Sequence, residues 1–520
     1  MGKKINLILE FNRDLEKAIK KKFPQLKGFR ILSKSLDARK SNLGRTPKYN
    51  YQVEVSLPGD DFEHFTETFS HLGPLPQKPI IVGAGPAGLF CALRLAEYGI
   101  PSIIIERGGR AQERMKKIAK FWRNGQFDGE NNVCFGEGGA GLFSDGKLIT
   151  RIKSPFIKYV MHKFVEFGAP PEVEYLSNPH LGSNKIRPLI NKITDYLKGK
   201  GCEILYHSKV TEILTSNDKI TGVKILTDND ESRILHSPNV VLATGHSAKD
   251  LYYHLKDLKV SMKPKDFAIG VRIEHPREVI DHLQLGDFAQ QDSLKSARYA
   301  LSHHDKSTDH GTYSFCMCPG GYVLSSGTED DGLVVNGMSN YARNSRWSNS
   351  AIVVTVKAGQ DFSFEENILG GLEFIKEIER KAYNLSIEKA SGRELPAITV
   401  EEFLNDSINQ NELPKTSSPS GIFKADLRAI LPSFVIDHLK SALINFDKKM
   451  KGFIHPKSIL IAPETRTSAP VTITRDKTTL ESISHTGLYP CGEGAGYAGG
   501  ITSSAVDGIK VAMAIIDKEF

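Results

Sequence analysis

Apolar and polar positions change period several times along the chain, and each change marks an element. Ile5–Phe11 alternates like a strand, Asp14–Phe23 has helical spacing, and Phe29–Lys34 and Tyr49–Leu57 read as further strands. Asp60–Leu72 fits a second helix, and Gly73-Pro74-Leu75-Pro76 closes the unit as a linker. A βαβ pattern follows. The apolar run Pro79–Val82 enters a glycine turn, a helix runs to about Tyr98, and Ser102–Ile105 is the next strand. Strands recur at Glu203–Tyr206, Ile220–Thr227 and Asn239–Leu242. From Lys263 to Lys357 the pattern is mixed, with β-rich runs at Gly321–Ser326 and Ala351–Val356. Phe364–Ala382 and Ser433–Met450 have helical spacing. The chain ends as strand Leu488–Pro490, glycine turn Gly492–Gly500 and helix Thr502–Lys518.

This order predicts an α/β protein. A small α/β domain (1–75) precedes a Rossmann-like nucleotide-binding domain, whose first part spans 76–262 and whose last part spans 458–520. An α+β domain (263–457) interrupts it. With domains of about 150 residues, 520 residues accommodate two to four.

Gly83-Ala84-Gly85-Pro86-Ala87-Gly88 fits G-x-G-x-x-G in its required context, between a strand and a helix. Gly83 allows the tight turn, Gly85 lets a pyrophosphate approach the backbone, and Gly88 lets the helix pack on the strand. The helix N-terminus then offers free N–H groups to phosphate. Glu106 stands 18 residues after Gly88, at the end of the second strand. A carboxylate there can accept from both ribose hydroxyls, and it repels a 2′-phosphate.

Three more segments narrow the dinucleotide. Val240-Val241-Leu242-Ala243-Thr244-Gly245 is a strand ending in Ala-Thr-Gly. Thr486–Glu493 ends in a Gly-acid step, and Glu137–Lys147 is glycine-rich. Together these resemble the FAD-binding domain of the glutathione-reductase superfamily over about 79–260 and 456–520. The acid of the Gly-acid step is usually Asp and here is Glu493. The whole chain further resembles a bacterial family of FAD-dependent dehydrogenases. Ser35–Arg39, Gly141–Leu148, Phe315–Gly321, Glu464–Val471 and Gly492–Ile501 carry that match. The resemblance implies FAD as cofactor, an oxidoreductase and an inserted substrate domain. It implies cofactor contacts at Gly83, Gly85, Pro86, Ala87, Gly88, Glu106, Arg107, Gly138, Gly139, Ser144, Val210, Ala243, Thr244, Gly245, Gly492, Glu493, Gly499, Gly500 and Ile501. Glycines before the last helix suit close approach to a flat ring, and the helix N-terminus places partial positive charge there.

A second G-x-G-x-x-G is absent between Gly182 and Gly245, and no cysteines have Cys-x4-Cys spacing. The expected layout is therefore one dinucleotide, with a small-molecule substrate or a transient nicotinamide nucleotide exchanging electrons. Flavin carries the hydride chemistry, so the protein mainly orients a substrate. Arg466, 26 residues before Gly492, ranks first as a substrate or flavin contact; the competing role is an ion pair with Glu464 or another acid. Arg272 and Lys147 follow, against a solvated strand face and a structural role respectively. Cys316-Met317-Cys318 would put both sulfurs on one strand face, but a two-apart disulfide is strained and packing thiols are the simpler reading. His180 is a loop histidine that could act as acid or base. No metal site is expected.

Composition adds two points. The net charge of +7 is uneven: residues 1–50 hold fourteen Lys/Arg and four Asp/Glu, so the rest carries −3. This leaves open a mainly binding flavoprotein that attracts a polyanion through its basic N-terminal unit. Aromatics there are few, so a base-stacking nucleic-acid platform is not expected. A third reading, a NAD-only dehydrogenase, gives the C-terminal Gly-Glu motif no role. Six scattered cysteines, no signal-peptide core and no apolar run of membrane length point to a cytoplasmic protein that meets no membrane.

Overall fold

The structure, a computed structural model, describes residues 2–39, 41–62 and 67–520. The N-terminal unit is a three-stranded antiparallel sheet with Lys48–Ser56 between Lys3–Glu10 and Gly28–Asp37. Helix Leu15–Lys22 covers one face and buries Ile19 against Tyr51, Val53 and Val55. Asp14 caps it by accepting from the Lys17 N–H at 2.7 Å. Lys20, Lys21 and Lys22 fall in its last turn, where the helix dipole favours cations. Some of the basic excess is internally paired, as in Lys20–Glu16 and Arg39–Asp37.

The helix expected at Asp60–Leu72 is not observed. Residues 60–62 and 67–72 are not helical, and 63–66 lie outside the described residues. Tertiary partners explain the difference. Glu67 pairs with the buried guanidinium of Arg94, Phe69 meets Tyr98 edge-on, and the Leu72 N–H donates to the Tyr98 carbonyl. Residues 67–72 are thereby held against the end of the fingerprint helix.

The nucleotide-binding core is a five-stranded parallel sheet. Its order is Leu488–Pro490, Val240–Leu242, Ile80–Val82, Ile103–Ile105, Glu203–Leu205. Apart from the edge strand Glu203–Leu205, its strands are continuous apolar runs because both faces of the sheet are covered. Helices Pro86–Glu97 and Ile501–Glu519 pack tightly together: a Cβ on Gly508 would lie 2.0 Å from the Ala87 carbonyl oxygen. Residues more than 400 apart in sequence thus build one layer. An antiparallel meander, Ser208–Ser216, Lys219–Thr227 and Ser232–His236, joins the fifth strand to the Ala-Thr-Gly strand.

The inserted domain is a seven-stranded sheet ordered Ser302–Asp305, His310–Cys318, Trp347–Val356, Phe267–Pro276, Ile459–Glu464, Leu395–Thr399, Ile422–Lys424. Helices Gly370–Lys389 and Ser433–Lys449 line its core. The first starts later than the sequence pattern suggests, because Asn367 turns the chain and accepts from the Leu369 N–H. The boundary expected at 457/458 moves. Ile459–Glu464 pairs with Phe267–Pro276, so the inserted sheet continues through Glu464. A short ladder of Met262–Pro264 with Val471–Ile473 marks where the chain leaves and rejoins the parallel-sheet domain. Among the described residues no helix is long and apolar enough to cross a membrane.

Candidate active site

A cavity of about 930 Å³ runs from the fingerprint turn to the N-terminus of the last helix, with the inserted domain as its far wall. Gly83, Gly85, Pro86, Ala87, Glu106, Arg107 and Val210 line one end, with Ala243, Thr244 and Gly245 beside them. Gly139, Ser144, Lys147, Arg466, Glu493, Gly499, Gly500 and Ile501 line the rest.

The three fingerprint glycines do different work. Gly83 has φ +107°, and a Cβ there would sit 2.4 Å from the Ala243 carbonyl oxygen. A Cβ on Gly88 would meet the Gly83 carbonyl oxygen at 2.0 Å. Both are glycine for packing reasons internal to the protein. Gly85 is different. The nearest atom to its Cβ would be 3.9 Å away, and the residue faces the cavity. Its glycine keeps the backbone open to the cavity, where a ligand could approach it. A Cβ at Gly245 or Gly499 would likewise meet nothing within 4 Å.

Glu106 is buried and already serves the protein. Its carboxylate accepts from the N–H groups of Ala84, Gly108 and Gly136 at 2.9–3.0 Å. A carboxylate has about four acceptor positions, so this leaves it roughly one for a ribose. Arg107 lines the cavity but is tied to Glu130 and Asp250, and Lys209 joins both acids. Glu493 stands 3.3 Å from Nδ1 of His246. The other ring nitrogen, Nε2, is buried without a hydrogen-bond partner, and His246 lines the cavity. An orphaned buried polar atom beside glycines that leave open space is what a bound polar cofactor would satisfy. The residues present therefore fit FAD. The backbone around Gly85 and the N-terminus of helix Pro86–Glu97 would take the pyrophosphate, Glu106 the ribose and Glu493 the ribityl chain. Gly499–Ile501 would face the ring.

Three expected cofactor contacts stand behind the wall. Gly88 packs helix on strand. Gly138 donates its N–H to the Ala84 carbonyl. Gly492 donates its N–H to Asp507 at 2.7 Å. Asp507 also holds Arg475, whose Nη1 reaches the Pro490 carbonyl at 2.6 Å. This buried clamp fixes the Gly-acid step, and no local spacing in the sequence announces it.

The candidate chemical residues are more tightly engaged than their types suggest. Arg466 lines the cavity, yet Nε and Nη2 donate to Glu379 at 3.1 and 3.0 Å. Only Nη1 turns away, toward Ser247 Oγ at 3.1 Å. Glu379 is fully buried and also accepts from Lys249 and Thr465. Its burial opposes ionisation, but the Arg466 and Lys249 charges outweigh it and hold its pKa down at about 2. Arg466 is thus not an open clamp. Arg272 does not line the cavity at all. It is fully buried and donates through Nε and Nη2 to Glu464 at 2.8 and 2.9 Å, and through Nη1 to Asn349 at 2.9 Å. Neither a substrate clamp nor a solvated face describes it.

Lys147 does reach the cavity. It donates to the Met317 carbonyl and stands 3.2 Å from Asp145. Burial works against its charge, but Asp145 together with the sulfurs of Cys316 and Cys318 outweighs it and raises its pKa. His180 lies outside the cavity, stacked on Tyr341 with Nε2 3.0 Å from that residue's carbonyl oxygen. Burial pulls its pKa down to about 4, so it is neutral near pH 7. Residues not expected as contacts complete the mouth: Ile149, Arg151 and Ile152 from an irregular segment, and Tyr313 and Phe315 from the inserted sheet, where Phe315 opens the motif Phe315–Gly321. The approach to a site lies on loops whose contacts are set by tertiary structure, so periodicity carries no signal for them.

Two family models agree with this architecture. Residues 77–254 match the family model described as pyridine nucleotide-disulphide oxidoreductase. Residues 266–467 match the model described as FAD-dependent protein, C-terminal domain-like. An uncharacterised protein of Clostridium beijerinckii is 40% identical over 99% of this chain and 98% of its own length. The NADH:fumarate oxidoreductase of Klebsiella pneumoniae is 24% identical over 33% of this chain and 20% of its own. Among solved structures, the flavin-dependent brominase Bmp2 triple mutant is 11% identical, covering 85% of this chain and 80% of its own, with a TM-score of 0.37. A geranylgeranyl bacteriochlorophyll reductase-like protein of Thermoplasma acidophilum is 12% identical, covering 86% and 80%, with a TM-score of 0.35. With that full-length relative and both family models in place, the chain belongs to the family of FAD-dependent oxidoreductases that join a glutathione-reductase-type FAD domain to this inserted domain.

Proposed function

We propose that this protein is a dehydrogenase that exchanges a hydride between its flavin and a small molecule carrying an anionic group and an apolar body. One observation carries the reading. The cavity continues past the dinucleotide-binding glycines to a mouth whose surfaces are apolar and cationic: Ile149, Ile152, Tyr313 and Phe315 beside Arg151. Flavin supplies the hydride chemistry when bound, and these side chains would hold and orient the substrate. Arg151 is exposed at that mouth, where a planar guanidinium suits a carboxylate. It replaces Arg466 as the first choice for substrate contact.

A nicotinamide nucleotide is the proposed transient electron donor or acceptor. The test is anaerobic. The purified protein should be yellow, with the two-banded absorbance of oxidised flavin. NADH, NADPH and a panel of hydroxy acids, amino acids and aromatic carboxylates are then mixed with it in stopped flow. Bleaching by an anionic member of the panel supports the reading. Bleaching only by neutral or cationic compounds removes it.

A further inference from the structure

Six Lys and Arg side chains line the cavity, and four of them are engaged by carboxylates. Arg107 and Lys209 share Glu130 and Asp250, Arg466 has Glu379, and Lys147 stands beside Asp145. Arg151 is exposed at the mouth. Lys265 is the exception. It is half-buried, and among the described residues it forms no ion pair. Its Nζ donates once, to the Gly496 carbonyl at 3.0 Å. An ammonium has three donors, so two are unspent. Its place is well fixed. Lys265 directly follows the ladder of Met262–Pro264 with Val471–Ile473, and its own N–H donates to the Pro470 carbonyl at 2.9 Å. Gly496 leans on the same ladder: it has φ +88°, and a Cβ there would lie 2.8 Å from Thr472 Oγ1 and 3.0 Å from the Val471 carbonyl oxygen. One short ladder therefore holds both the ammonium and the glycine turn that leads into helix Ile501–Glu519.

We propose that Lys265 is a cofactor-contacting residue, whose ammonium serves the flavin ring and compensates the negative charge the ring takes up on reduction. The inference rests on the fit of FAD to the cavity, with the ring at Gly499–Ile501, and stands without the dehydrogenase reading. Charge near the ring is one of the means by which a protein tunes flavin. The engaged cations are poorly suited to that task, because the carboxylates beside them already neutralise their charge. Lys265 has only a carbonyl. Burial pulls its pKa down, and Glu493 offsets part of that. A cation so poorly hydrated gains more from a new anionic neighbour than one surrounded by water. Lys265 also belongs to the short connection through which the chain enters the inserted domain, so that connection would supply the flavin with charge as well as joining the two sheets.

The test uses the FAD-loaded protein without substrate. Sulfite adds to oxidised flavin: its sulfur lone pair forms the new bond, and the ring takes up the electron pair as negative charge. Loss of flavin absorbance against sulfite concentration gives a dissociation constant, and dye equilibration without oxygen gives the two-electron midpoint potential. Lys265→Met should raise the sulfite constant about ten-fold and lower the midpoint by the equivalent, about 30 mV. Oxidised FAD should bind it within about three-fold of wild type. Lys265→Arg keeps the charge and should stay near wild type in both readouts. Lys263→Met is the control, since Lys263 pairs with Thr472 on the same ladder but is exposed. It should move neither value. A Lys265→Met protein that holds FAD and keeps its sulfite constant within about two-fold of wild type overturns the proposal. So does an equal change in Lys263→Met, or a Lys265→Arg protein as impaired as Lys265→Met. Loss of FAD from Lys265→Met and Lys265→Gln alike assigns the lysine to holding the oxidised cofactor and overturns its role in reduction. A wild type that takes up no FAD overturns the cofactor reading itself, and the proposal with it.

Discussion

At the fingerprint end the cavity is walled largely by backbone: Gly83, Gly85, Ala243 and Gly245, with Glu106 spent on N–H groups of neighbouring turns. At the far end it is walled by long charged side chains held from the inserted domain: Arg466 by Glu379, and Lys147 by the Met317 carbonyl, with its near neighbour Asp145 beside it. The dinucleotide end needs space and N–H groups, which glycine and a helix N-terminus supply locally. The chemical end needs fixed charge in a dry place, which takes pairs assembled over long sequence distances. The first should therefore tolerate changes in charge and fail on changes in volume, and the second the reverse.

The largest effect should come from removing Glu379. Its loss leaves Arg466 without its bidentate partner and Lys249 without its fully buried one. Breaking one side of a buried ion pair typically costs about 3–5 kcal/mol. Glu379→Ala should lower the unfolding free energy by that amount in urea titrations. A loss below about 1 kcal/mol would show that these charges are screened, and the contrast between the two ends would fall.

The same contrast predicts a two-sided pH dependence. Glu379 has a pKa of about 2 in the folded protein against an ordinary 4.5, so its stabilisation is complete above pH 4.5 and is lost as pH falls toward 2. Glu274 is the opposite case. It is buried beneath Thr416 and Ser417, and burial pushes it up to about 7 despite their hydrogen bonds. Its contribution is complete below pH 4.5 and is lost as pH rises through 7. Each limb should be worth up to about 3 kcal/mol. Glu274→Gln should flatten the neutral limb only, and Glu379→Gln the acid limb only.

At the other end, Gly85→Val should leave the FAD-free fold within about 1 kcal/mol of wild type, because the added Cβ would meet nothing nearer than the Gly139 Cα at 3.9 Å. It should weaken FAD binding at least about 100-fold, equivalent to about 2.7 kcal/mol. Gly83→Val should instead fail as a fold, since its Cβ would strike the Ala243 carbonyl. Equal FAD affinity in Gly85→Val and wild type would place the pyrophosphate elsewhere.

How much was legible follows the same division. The fingerprint, Glu106 and the C-terminal glycines lie at fixed short spacings, so the sequence exposes them. Arg466 and Arg272 were recognisable as arginines near the site, but not as engaged ones. Their partners lie 87 and 192 residues away, and Glu464, the acid nearest to Arg466 in sequence, pairs with Arg272 instead. The helix expected at 60–72 failed for a related reason: contacts with Arg94 and Tyr98 override local propensity. The register shift between Phe315 and Cys318, beside the Cys-x-Cys pair, is likewise a feature that local alternation does not announce.

The smallest effect belongs to Arg151, which lies between the two ends at the mouth and is exposed. Exposed charge is screened, so its attraction for an anionic substrate is modest. Arg151→Gln should raise KM about ten-fold, or about 1.4 kcal/mol, for whichever anionic compound bleaches the flavin, with kcat and FAD content unchanged. That pattern marks binding energy shared equally by ground state and transition state. A fall in kcat at constant KM would instead move Arg151 from the approach to the reacting centre, and the far end of the cavity would then hold an unpaired working charge after all.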